Sequence, residues 1–166
     1  MTDEWTIYGR WTPQDRDTQR KRVYDAETQA ARVFTFCRHN DLRGVCRFLA
    51  RVLTDPWFGA KWPWCTPERL KVGDGRGRRS AGCCKRKDKW VLKYPRWARF
   101  ELVILHELCH VIAEPVKPDH GPYFARCLLE LTRRYIGEDA YTALRVAYRE
   151  HGVRFHAKYE LRKAAG

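Results

Sequence analysis

The chain has 166 residues, 44% hydrophobic and 13% aromatic with seven Trp, enough apolar side chain for one packed core and too much for a disordered polypeptide. No apolar run reaches the roughly 20 residues that a bilayer-spanning helix requires, which excludes that class. The formal charge of +13, from 33 Lys and Arg against 20 Asp and Glu, excludes a neutral or acidic surface.

Residues 1–14 read as an irregular arm. Met1 to Arg20 is polar, without the apolar centre of a secretion signal, so a cytoplasmic location is expected. From Asp17 to about Phe36, Val23, Ala26, Ala30, Val33 and Phe34 fall at helical spacing. Asp41 is placed to cap a second helix, Leu42 to Leu53, which Asp55-Pro56 ends. Trp57 to Trp64 reads as an aromatic-rich connection. Three strands are expected at Arg69–Val72, Arg79–Cys84 and Lys89–Tyr94, with a hairpin turn over Lys85–Asp88. Gly73, Gly75 and Gly77 mark a loop with no helix after it, so they form no phosphate-binding fingerprint. A buried helix follows from about Trp97 to Ala113, bounded by Pro95 and Pro115. Pro122 to Ile136 and Asp139 to Glu150 read as two more, stopped by Gly137 and Gly152, and the chain is expected to fray from Ala157.

The buried helix carries His106-Glu107-Leu108-Cys109-His110, an H-E-x-x-H element. Positions i and i+4 share one face of a helix, so both histidines can reach one ion. Glu107 lies about 100° round from His106, beside the ligand face, where a carboxylate can take a proton without being a ligand. Buried histidines and a buried glutamate are costly unless paired or metal-bound.

A catalytic zinc needs a third protein ligand. His120, separated from His110 by nine residues, is favoured because Pro115 and Pro118 turn the chain and Pro122 suits the start of the next helix. Glu114, Asp119 and Glu130 compete for that role, Glu130 also as a partner holding a histidine ring. Tyr123, Tyr94 and His151 are candidates to assist the carbonyl oxygen of a substrate. The cysteines at 37, 46, 65, 83, 84, 109 and 127 form no C-x-x-C pair, so they read as buried small residues or free thiols. Cys83 and Cys84 would point to opposite faces of a strand and make a poor ligand pair.

The segment H-E-L-C-H, nine residues, then H-G-P-x-F resembles the SprT/Spartan-like zinc metallopeptidases. More of the chain is similar to a small family of actinobacterial and actinophage metallohydrolases of the same minimal zincin type, through Arg16–Arg20, Val23–Glu27, Asp55-Pro56-Trp57 and Leu144–Tyr148. The chain departs from such sequences at Tyr123, often Glu there, and at Cys109, more often Ala. It also lacks the C-terminal four-cysteine ribbon of some SprT relatives. The resemblance implies an α+β minimal zincin domain, with N-terminal helices, a small antiparallel or mixed sheet, the zinc helix and C-terminal helices. It also implies Zn²⁺ as cofactor and a protein or peptide substrate.

The charge is uneven. Arg69 to Arg99 holds twelve Lys or Arg against only Asp74 and Asp88. Such a segment either attracts nucleic acid through phosphate contacts or guards an exposed edge strand. The expected function is therefore a zinc hydrolase with Glu107 as general base. The alternative is a basic nucleic-acid-binding accessory protein whose zinc site is structural or vestigial.

Overall fold

The computed structural model describes residues 17–114, 116 and 119–156, and the expected arm and frayed end lie outside them. In chain order it contains α1 (Arg20–Val33), α2 (Leu42–Leu53), α3 (Pro56–Lys61), β1 (Leu70–Gly73), β2 (Gly82–Arg86), β3 (Lys89–Lys93), α4 (Glu101–Ala113), α5 (Pro122–Tyr135) and α6 (Glu138–Glu150). The class is α+β, as expected. Among the described residues no helix is long and apolar enough to cross a membrane.

Asp41 caps α2 as expected, its carboxylate accepting from Gly44 N–H at 2.7 Å. Two helix ends differ from the expected bounds for one shared reason. α1 stops at Val33, and Phe34 turns to extended geometry. The chain beyond it then pairs with the segment ahead of α4: His39 N–H donates to the Arg99 carbonyl, Glu101 N–H to that of Cys37, and Arg38 bridges Phe100. That pairing holds Phe100 extended, so α4 starts at Glu101, and Trp97 belongs to a separate 3₁₀ turn, Arg96–Ala98. The aromatic connection also contains a short helix, α3. Asp55 accepts from Trp57 N–H at 2.9 Å, and Pro56 takes the first helical position, where its missing N–H costs nothing.

The sheet is mixed, in the order β1-β3-β2. β1 runs parallel to the central β3, and β2 pairs with β3 antiparallel. β1 starts one residue late because Arg69 closes a 3₁₀ turn, Pro67–Arg69. β2 starts at Gly82 and runs past Cys84, since Lys85 and Arg86 still pair with Trp90 and Lys89. The turn is therefore only Lys87-Asp88, with Lys87 in the left-handed region at φ 56°. Gly75 anchors the loop from β1 to β2: its φ is +59°, and a Cβ there would lie 2.9 Å from the Pro95 ring. This register puts Cys83, Lys85, Trp90 and Leu92 on one face of the sheet.

That face packs on α4, whose other side packs on α5, with α6 and α1 closing the helical layer. Leu105, Leu108 and Ile112 of α4 are fully buried, as are Leu128 and Leu131 of α5. Each such side chain contributes about 1.5–3 kcal/mol relative to exposure. A helix so encased holds its polar residues in fixed positions.

Candidate metal centre

α4 turns Val103, His106, Glu107 and His110 toward a cleft of about 1060 Å³, and Glu114, just past its end, also lines it. Arg20, Tyr24, Glu27 and Ala31 of α1 form one wall, a set spaced for one helix face. Ala81, Gly82 and Cys83 at the start of β2 form another. His120 enters from the turn ahead of α5. One ring nitrogen from each of His106, His110 and His120 lies within 4.8 Å of the other two. The three histidines could hold one metal ion.

The rings are aimed from behind. The Nδ1 of His106 is 2.8 Å from Glu27 Oε1, and the Nδ1 of His120 is 2.7 Å from Asp17 Oδ2. A neutral imidazole that donates from Nδ1 to a carboxylate leaves the Nε2 lone pair for a cation. The two Nε2 atoms face each other at 3.4 Å. Tetrahedral ligands at about 2.0–2.1 Å from an ion sit about 3.3–3.4 Å apart, so this pair has the spacing of one edge of such a site. Phe124 of α5 packs under the cluster, with its ring centroid 4.9 Å from each of the three histidine rings.

Electrostatics follow the same plan. Burial pushes the His106 pKa down, but the charge and hydrogen bond of Glu27 outweigh it and leave the pKa raised. For His120, burial and then the His106 charge win, and its pKa is lowered despite Asp17. Glu107 is 5% exposed, and burial pushes its carboxyl up against the opposing pull of His106. Among the described residues no side chain donates a hydrogen bond to it, so its lone pairs face the cleft.

Of the competing ligand candidates, Glu114 and Asp119 line the cleft and Glu130 does not. Glu130 pairs with Lys61 and Arg126, away from the cleft. Glu114 lines the cleft but pairs with Lys85 at 3.0 Å, and Asp119 lines it beside His120. None of the three tyrosine and histidine candidates for carbonyl assistance lines the cleft. The Tyr123 hydroxyl accepts from the Trp62 indole at 3.2 Å in the core, because the first turn of α5 directs it away from the metal side. The Tyr94 hydroxyl donates to the Ile104 carbonyl at 3.1 Å, and His151 meets Gln29 at 2.6 Å beside α6. Tyr24 stands where those residues were expected, its ring stacked on His106 with centroids 5.1 Å apart. Cys83 and Cys84 sit on opposite sheet faces, and all seven cysteines are free thiols.

Asp17, Tyr24 and Glu27 lie in segments that carry the family resemblance, but the sequence assigned them no role at the site. The available signal was Glu27 itself, a carboxylate between Val23, Ala26 and Ala30 on the apolar stripe of α1. Gln19 was missed too: its amide donates to the His120 carbonyl at 2.7 Å and to the Arg154 carbonyl at 3.1 Å, tying the third histidine to the end of the fold. Losing the partner of a metal-bound histidine typically weakens binding about 10–100-fold. Asp17→Ala is therefore expected to lower zinc affinity by that factor, read by competition with a chromogenic chelator. Wild-type affinity would reduce Asp17 to a packing residue.

Comparison with protein families, with curated proteins and with solved structures finds no match to this chain.

Proposed function

We propose that the chain is a zinc-dependent peptidase of the minimal zincin type, related to the SprT-like enzymes. The observation that carries this reading is the convergence of His106, His110 and His120 on one point beside the uncommitted carboxylate of Glu107. A zinc ion held there would supply a Lewis acid that polarises a carbonyl and acidifies water near neutral pH. Glu107 accepts the proton of the attacking water and returns it to the leaving amine. Tyr24, whose hydroxyl pKa is raised by burial and by the charges of Glu107 and Glu27, stays protonated and donates to the carbonyl oxygen. β2 is an edge strand along the cleft, and an extended peptide adds to its free edge with main-chain hydrogen bonds. A cytoplasmic location suits seven cysteines that form no disulfide.

A closed structural zinc site normally takes four protein ligands, usually with cysteine. Here three histidines face an open cleft, which favours the catalytic reading over the accessory one. Casein cleavage by the purified chain should stop with a strong chelator and return on adding zinc. Cleavage that survives the chelator would overturn the reading.

A further inference from the structure

The face of the sheet turned away from α4 has its own composition. By register it carries Lys71 on β1, Cys84 and Arg86 on β2, and Lys89, Val91 and Lys93 on β3. Lys71, Arg86 and Lys89 are exposed, while Lys93 is half-buried and lies against Gly73, 3.9 Å from where a Cβ would be. Gly82 lets the Arg78 guanidinium fold over the strand end, since a Cβ there would meet it at 2.8 Å. Among the described residues, none of Lys71, Arg86, Lys89 and Lys93 forms an ion pair, whereas Lys85, on the opposite face, pairs with Glu114.

We infer that this face binds the phosphate backbone of nucleic acid without reading sequence. Strands about 4.8 Å apart and residues i, i+2 about 6.6 Å apart spread the cations over a patch, where one carboxylate could not neutralise them together. A polyanion can, by trading its condensed counterions for several cations at once. The face offers no aromatic side chain on which a base could stack, only Val91 and Cys84 between the charges, so the contact is to phosphate. The patch lies on the back of the sheet whose front borders the metal cleft, so binding leaves the cleft open. This inference does not depend on the peptidase reading.

The test is fluorescence anisotropy of the full chain with labelled 20-base-pair duplexes, AT-rich and GC-rich, over a range of NaCl. With the four cations of this face engaged, log K should fall against log salt with a slope of about −4, at similar affinity for both duplexes. Lys71→Gln, Lys89→Gln and Lys93→Gln together should flatten the slope by about 3, and Lys71→Gln alone by about 1. Arg32→Gln, Arg43→Gln and Arg47→Gln, which remove the same charge from exposed helix positions, should leave the slope unchanged. Equal losses in both triple variants would mean net charge rather than a site. Equal losses, a strong preference for one duplex, or binding to phosphatidylserine vesicles but not to duplex would each overturn the inference.

Discussion

Glu107→Gln is expected to keep its zinc and lose turnover by roughly 10²–10⁴-fold, the usual worth of a positioned general base. The substitution keeps the volume of a side chain that is 5% exposed, so the packing of α4 is undisturbed. It removes only the lone pair that accepts the proton, because an amide oxygen is far too weak a base. The three histidines are untouched, and the Nδ1 partners of His106 and His120 lie on or beside α1 rather than at position 107. Metal content and the circular dichroism spectrum should therefore match the wild type while casein cleavage disappears. Cleavage at the wild-type rate would move the base elsewhere and sink the mechanism.

His120→Ala should have the second largest effect, this time on the metal. Zinc in small structural sites is bound with about 10–16 kcal/mol, or about 2.5–4 kcal/mol for each of four ligands. Removing one ligand should weaken binding by about 10²–10³-fold, seen as loss of zinc after dialysis. Glu130→Ala is the paired control. Its carboxylate is engaged by Lys61 and Arg126, so zinc content should not change. If Glu130→Ala lost the metal and His120→Ala kept it, the assignment would be reversed.

The parts of the fold that local chemistry controls were legible in the sequence. Asp41 as a cap, the alternation of Lys89 to Lys93, and Pro122 at the start of α5 depend on neighbours a few residues away. The H-E-x-x-H spacing and its helix were legible for the same reason. What misled was long-range. α4 begins late because residues 37–39, some sixty positions upstream, pair with residues 99–101 and hold Phe100 in extended geometry. Tyr123 drew attention through closeness in sequence to His120, yet one turn of α5 sends it into the core beside Trp62. Asp17 and Glu27 went unassigned because each is a common acid until a histidine ring is brought against it. No local pattern states that encounter.

The bonds from Glu27 to His106 and from Asp17 to His120 join residues 79 and 103 positions apart. Contacts of that separation form late, since the chain must close long loops before they repay the entropy. The segment that orients the ligands is also the first of the described residues to be made, and it must wait for α4 and the turn ahead of α5 before it has anything to hold. If the site holds zinc as proposed, its capture would report that α1 has met the histidines. A chain clipped between Asp17 and Glu27 would retain every ligand histidine but part Asp17 from the rest of α1, so under the proposed function metal affinity would serve as a check on whether the molecule is whole.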